Sequence, residues 1–491
     1  MFSKAIFLQY LQCPKLAWIS YHIPKKLPPL DSSAEYRIKE GKVVESYAHQ
    51  LFPNALLIDH SRPFEDVISQ SNDAINRSSL PIFNTILRAH DFIAEVDILL
   101  PVEDEFDLYE IKPSTIAKPD DIPDIAFLKY VAEQRGLRIR KCFLVLLNGS
   151  YARKREIEPE HLFKTGNVSE GVQEYGQLHD INAQVERALL ACHQNTCPDT
   201  KIGVQCSNDC QMRNICWKKV DAVKNNIFNL YRLPRKMMFE WYEHGIIKKT
   251  EIPKKYLLNE RQKIQIQTET SGKIHVNKDA VREFCNQLTY PLYFLDFETF
   301  SCAIPLIDDS KPFETIPFQY SLHVIEKALN NTPKHFSWIW NREAENDPRE
   351  VLLHRLQSRL GNNGSIIAYN AVFEMTVLKQ AAKICPAYEK WLDGILKRFI
   401  DMLMPFRNFA VYHPDQKGSC SLKAVLPALT GHSYDRLIIG DGEQASSEYL
   451  KIARGATKGA DKQAILENLE IYCGQDSMAM IEILRKMKTL S

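Results

Sequence analysis

The feature that most constrains this chain is a short, almost wholly apolar segment, Leu292 to Phe297, with Asp296 inside it and Glu298 directly after it. A run of this length and composition reads as a strand buried within an α/β sheet. Side chains alternate across a strand, so two carboxylates two residues apart project from one face. Such a pair can hold a divalent metal ion at the end of a sheet. Taken alone, it also fits a solvated sheet edge.

At 491 residues the chain exceeds one ordinary core, and two domains with a connecting region are expected. No internal repeat, low-complexity block or Gly/Ser linker marks the division. The first clear elements are strands at Asp91 to Leu100 and Phe106 to Lys112, separated by the acidic turn Pro101 to Glu105. A helix near Asp121 to Arg135, closed by Gly136, and a buried strand at Cys142 to Leu147 complete a mixed α/β pattern. A second α/β unit starts at Tyr290, with a further strand at Ile366 to Tyr369 and a long helix over Leu466 to Met487. The boundary falls near residue 285. The predicted domains are 1–220, a connector 221–285, and 286–491.

In the last of these, Tyr472 and Asp476 are four apart and share one helical face. Between them and the strand pair, Asn370-Ala-Val-Phe-Glu374 reads as a strand-to-helix transition, with Asn370 as N-cap and Glu374 one turn in. Asp-x-Glu, then Asn-x-x-Phe-acid, then Tyr-x-x-x-Asp closely resembles the motifs of DnaQ-like DEDD exonucleases in their tyrosine-bearing branch. The resemblance covers roughly 286–491 and implies a ribonuclease-H-like fold, Mg²⁺ or Mn²⁺, and 3′-to-5′ removal of nucleotides. It also implies that Asp296, Glu298, Glu374 and Asp476 ligate metal and that Tyr472 positions the attacking water. Glu374 departs from the Asp usual in the second motif. Asp401 is a reserve for that carboxylate, with a helix cap as its other reading, and His413 and Lys423 are candidate phosphate contacts or structural residues.

In the N-terminal half, Asp97 ends one strand and Glu110-Ile-Lys112 lies on the next, where a hairpin brings all three together. This looks like the PD-(D/E)XK nuclease core, a restriction-endonuclease-like fold. The resemblance implies metal at Asp97 and Glu110, with Lys112 polarising water or stabilising the phosphate. Gly41-Lys-Val-Val-Glu45, with His49 one turn on, resembles that family's first helical motif and makes Glu45 an additional candidate ligand. The motif's proline is absent, and Leu128 stands where a glutamine often precedes Tyr130.

Disulfides are disfavoured in the cytoplasm, so a local group among the twelve cysteines points to metal or catalysis. Cys206, Cys210 and Cys216 form a close trio, and Cys13 stands alone upstream. This layout resembles the iron-sulfur PD-(D/E)XK nucleases of the AddB and CRISPR-associated kinds, over roughly residues 1–220. It implies a 4Fe-4S cluster on four thiolates. Zinc is the competing metal, and Cys192 and Cys197 are close enough to replace one ligand. The pairing of the two nuclease modules resembles an uncharacterised bacterial family in which they are fused.

Between Arg213 and Lys255, eleven Lys or Arg face four acidic residues and are interleaved with Trp217, Phe228, Tyr231, Phe239, Trp241 and Tyr242. That composition suits a track for nucleic acid, with cations on phosphates and aromatic faces on bases, or a helical connector docked on its flanks. The balance of 62 basic against 61 acidic residues argues against a wholly basic polyanion-binding surface. DNA is the favoured substrate and RNA stays open. No apolar run approaches the roughly 20 residues that span a bilayer, and Met1 to Tyr10 lacks the pattern of a secretory signal, so the expected compartment is the cytoplasm.

Overall fold

The computed structural model describes residues 1–30 and 32–491. The chain is mixed α/β and divides into two compact units, residues 1–217 with 302–314, and residues 218–301 with 315–491.

The first unit is built on a seven-stranded sheet of β1 (Phe2–Ser3), β2 (Leu56–Leu57), β3 (Ile82–Ala89), β4 (Phe92–Val102), β5 (Glu105–Lys112), β6 (Ile139–Leu147) and β7 (Phe163–Asn167). The order is β2-β3-β4-β5-β6-β7, with β1 joined to β4. β4 and β5 form an antiparallel hairpin, and β5 runs parallel to β6 through the crossover helix Asp121–Gln134. One face of the sheet packs under that helix, with Ile125, Phe127 and Leu128 buried. The other face packs around Val44, Ile98, Ile111 and Val145, and Ala303 and Ile304 of the 302–314 segment join that core.

The second unit carries a five-stranded sheet ordered β11-β10-β9-β12-β13, comprising β9 (Leu292–Phe300), β10 (Ile316–Ile325), β11 (Lys334–Ile339), β12 (Ser365–Ala368) and β13 (Phe399–Asp401). β9, β10 and β11 are antiparallel neighbours, whereas β12 and β13 run parallel to β9. A two-stranded ribbon pairs β8 (His275–Val276) with β14 (Val411–Tyr412). β10 is buried along its whole length, and its alternating polar residues Gln319, Ser321 and His323 hydrogen-bond to Leu469 and Ser477 of the long C-terminal helix. The helix Gly459–Leu490 packs along β9 and β10, burying Leu469, Ala479, Met480 and Ile483.

The 221–285 segment is grouped by its contacts with the second unit. Its aromatics favour the docked connector over the base-stacking track. Trp241 and Phe239 are each 1% exposed, Tyr231 is buried against Phe409, and Trp217 is buried in the first unit. Ile227, Leu230, Leu233 and Trp241 form a small core of their own. Burying a large ring removes more apolar area from water than stacking it on a transient ligand, so these rings went inward. Among the described residues no helix is long and apolar enough to cross a membrane.

Candidate active sites

In the second unit, β12 pairs with β9 only over Leu292–Phe294 and then diverges. Asp296 and Glu298 follow immediately, opposite Ser321 and Gln319 of β10. One side of β9 is thus left open where its carboxylates emerge. The helix Gly459–Leu490 crosses this opening and presents Tyr472, Cys473 and Asp476, all buried. Ligand atoms of Asp296, Glu298 and Cys473 lie within 4.8 Å of one another, and Cys473 Sγ is 3.6 Å from Asp296 Oδ2.

Burial pushes the Asp296 carboxyl well above its usual range, and repulsion from Asp476, Glu298 and Glu374 adds to it. Glu298 is raised by burial and by Asp476, against the pull of Lys423. Asp476 is pushed up to about 6 by burial, while hydrogen bonds from Tyr434 and Tyr472 and the charge of Lys423 hold it down. Glu374, in the first turn of the helix Val372–Ile384, is 2% exposed and pushed up to about 8, chiefly by burial and then by Asp401. Its Oε2 is buried without a hydrogen-bond partner. Four enclosed carboxyls, all raised by burial and two of them, Asp296 and Glu298, also by their neighbours, fit a divalent cation, whose charge would relieve both effects.

Two groups at this site were not legible in the sequence. Tyr434 donates its hydroxyl to Asp476 Oδ1, and its only advance signal is a tyrosine in a loop. Cys473, one residue beyond Tyr472 on the same helix, has its Sγ 3.6 Å from Asp296 Oδ2. Lys423 Nζ lies 5.2 Å from the ring of Tyr472 and 5.7 Å from that of Tyr434, and donates to the Gly440 carbonyl at 2.6 Å. His413 instead caps the turn Pro414–Gln416. Asp401 Oδ1 accepts the amides of Asn370 and Leu403 at 3.0 and 2.9 Å, so it ties loop backbone. Asn370 is not the N-cap. Its φ is +73°, the cap is Ala371, and no side chain caps that helix.

In the first unit the β4–β5 ladder ends at Ile98–Tyr109, one step before Asp97 and Glu110. Asp97 Oδ2 takes the Ile111 amide at 2.6 Å in place of a ladder bond. Burial raises the Asp97 carboxyl, and Glu110 raises it further. Glu110 is buried, yet the charges of Lys4 and Lys112 outweigh that burial and lower its carboxyl below the usual value. Lys112 Nζ is 2.7 Å from Glu110 Oε1 and also contacts Asp124 Oδ2. Glu110 Oε2 is buried without a hydrogen-bond partner. Glu45, on the helix Ser32–Ala48, is 3.6 Å from His49 and near enough to add repulsion at Asp97. Asp97 and Glu110 therefore suit a divalent ion, with Glu45 at the margin. Asp124 and Lys4 join this set across distances in sequence that no local pattern reveals.

Cys13, Cys206, Cys210 and Cys216 line one cavity of the first unit, and every cysteine is a free thiol. Cys13 ends the helix Lys4–Gln12 and begins Pro14–His22, while Cys216 ends the short helix Arg213–Cys216. Burial pushes the Cys210 and Cys216 thiols up. Cys192 is fully buried in the sheet-side core and does not line that cavity. Cys197 packs beside Leu16, Ile19 and Met212, at the same small apolar cluster as Cys13, Cys210 and Cys216.

Residues 293–421 match the family described as "Domain of unknown function (DUF2779)". That stretch contains Asp296, Glu298, Glu374 and Asp401. The chain is similar to "Uncharacterized protein UU173" of Ureaplasma parvum, 25% identical over 232 residues, which are 43% of this chain and 33% of that protein. It is also similar to "Uncharacterized protein MG366 homolog" of Mycoplasma pneumoniae, 28% identical over 211 residues, 39% of this chain and 31% of that protein. The matched stretch spans about a third of each relative's length.

Proposed function

We propose that this chain is a cytoplasmic, metal-dependent nuclease with two active sites, one in each compact unit. The second unit is assigned a ribonuclease-H-like, DEDD-type exonuclease fold acting 3′ to 5′, and the first a PD-(D/E)XK fold stabilised by a 4Fe-4S cluster. DNA is the favoured substrate, with RNA the alternative. Convergence of Asp296, Glu298, Asp476 and Glu374 around one opening in a sheet carries this assignment, since burial of all four and repulsion at Asp296 and Glu298 leave the set in need of a cation.

Mg²⁺ or Mn²⁺ held by these carboxylates supplies positive charge against the scissile phosphate and acidity for the attacking water. The Tyr472 phenol keeps its proton, because burial and Asp476 raise its pKa, so it acts by hydrogen bonding and orients water. Lys423 is placed to neutralise phosphate beside the two tyrosines. In the first unit, Asp97 and Glu110, with Glu45, would hold the ion, and Lys112 offers a cation to the phosphate. The cavity shared by Cys13, Cys206, Cys210 and Cys216 supports the cluster.

A second reading confines cleavage to the second unit, with the first binding nucleic acid. It is favoured by the two lysines that already pair with Glu110 and Asp124 and offset their charge. End-labelled single- and double-stranded DNA and RNA, incubated with Mn²⁺, separate the cases. Dual activity predicts that Asp296→Ala and Lys112→Ala each remove a different product pattern. Loss of all cleavage with Asp296→Ala and none with Lys112→Ala selects the second reading, and an inactive parent chain selects a binding scaffold.

A further inference from the structure

Lys4 enters the first unit's site from a rigid position. Phe2 and Ser3 extend the sheet in parallel with Phe92 and Ile93, and the Phe2 amide donates to the Asp91 carbonyl at 2.8 Å. Phe2 is fully buried with its ring edge-on to Phe92, and Phe7 stacks on Phe127 at 5.0 Å. Ser3 caps the helix Lys4–Gln12 by accepting from the Ile6 amide. Backbone hydrogen bonds on one side and aromatic packing on the other therefore aim Lys4.

Its Nζ lies 2.7 Å from Glu110 Oε1 and 3.2 Å from Asp124 Oδ1. Lys112 Nζ lies 2.7 Å from the same Glu110 oxygen and contacts Asp124 Oδ2. Lys4, Glu110, Lys112 and Asp124 thus close a ring of alternating charge, while Glu110 Oε2 and Asp124 Oδ1 are buried without a hydrogen-bond partner. Asp97, Glu110, Asp124 and Glu45 carry four negative charges against two from the lysines, so one divalent ion neutralises the set. A second between Glu110 and Asp124 would have to displace an ammonium that already lies within 3.2 Å of both carboxylates.

We propose that Lys4 stands, between Glu110 and Asp124, where a second divalent ion would otherwise sit, so that the first unit's site holds one Mg²⁺ or Mn²⁺ rather than two. This rests on the reading of Asp97 and Glu110 as metal ligands. Lys4 is in this role a resident cation and a positioning residue for Glu110, whose Oε2 it leaves turned toward the ion.

The test counts Mn²⁺ by calorimetry and electron paramagnetic resonance on the full chain, with Asp296→Asn and Glu298→Gln silencing the other site. With Lys4 intact, one ion sensitive to Asp97→Asn is expected. Lys4→Gln should raise the count to two, with magnetic coupling between ions sharing Glu110, and Lys4→Arg should return it to one. Two ions with Lys4 intact, or one after Lys4→Gln, overturns the proposal. If Lys4→Gln does not fold, the counts for the intact chain and Lys4→Arg decide, and two in either overturns it. A chain with no Mn²⁺ sensitive to Asp97→Asn fails differently, because it removes the metal site itself and the role of Lys4 with it.

Discussion

The hydroxyl of Tyr434 donates to Oδ1 of Asp476, joining a loop residue to the long helix at the centre of the second unit's carboxylate cluster. Hydrogen bonds to charged groups contribute about 1.5–3 kcal/mol, so Tyr434→Phe should slow cleavage at that site roughly 10- to 100-fold. The phenylalanine keeps the edge-on contact with Tyr472, which sits 6.4 Å away ring to ring, and the fold should hold. Because Tyr434 lowers the Asp476 carboxyl, its loss should also move the acidic limb of the pH–rate profile to higher pH. A slower enzyme with an unmoved limb would mean that Tyr434 acts elsewhere.

Metal-free stability should fall as pH rises. Burial pushes Asp476 up to about 6 and Glu374 up to about 8, whereas both ionise near 4 in the unfolded chain. The folded state then binds more protons than the unfolded one, so stability from these groups is complete below about pH 4 and is lost as pH climbs through 6 and 8. Each group costs at most about 1.4 kcal/mol per pH unit in its window. In chelator, urea unfolding from pH 5 to 9 should show Glu374→Gln gaining on the parent as pH rises, and Mn²⁺ should narrow that gap. A gap that stays constant across the range would refute the assignment.

Removing the Trp241 ring tests whether the basic segment is core. Trp241→Ala should cost about 3–5 kcal/mol of stability. Trp241→Phe should cost much less, since the indole Nε1 is buried without a hydrogen-bond partner and its removal offsets lost packing. Near-neutral behaviour of Trp241→Ala in denaturant unfolding, with a loss of nucleic-acid affinity, would restore a stacking role.

Cys206→Ser should bleach the broad visible absorption expected of a 4Fe-4S protein and lower the first unit's melting temperature, whereas Cys192→Ser should leave the colour intact. Colourless parent protein, purified without air and carrying zinc, would replace the cluster by a single metal ion.

Local periodicity accounts for what was legible early. Asp296 and Glu298 share a face because strands alternate, and Tyr472 and Asp476 share one because helices repeat near every four residues. Asp97 and Glu110 meet because a short acidic turn folds one strand on the next. The basic segment stays ambiguous in sequence because its composition is the same whether aromatics stack on bases or fill a core, and only packing distinguishes them. Asn370 was assigned a cap from residue type, but the Asp401 carboxylate already holds its amide and its backbone is left-handed.

By itself, then, the sequence determined β4, β5, β6, β9 and β12, the helices within Asp121–Gln134 and Gly459–Leu490, and which carboxylates share a face, since those follow from spacings within a few residues. Tertiary structure alone decided that Tyr434 holds Asp476, that Cys473 faces Asp296, and that Lys4 closes a ring with Glu110, Lys112 and Asp124. The physical reason is that charge and hydrogen bonding act through space. In an enclosed cluster the group that matters most is the one packing brings within 3 Å, whatever its distance along the chain.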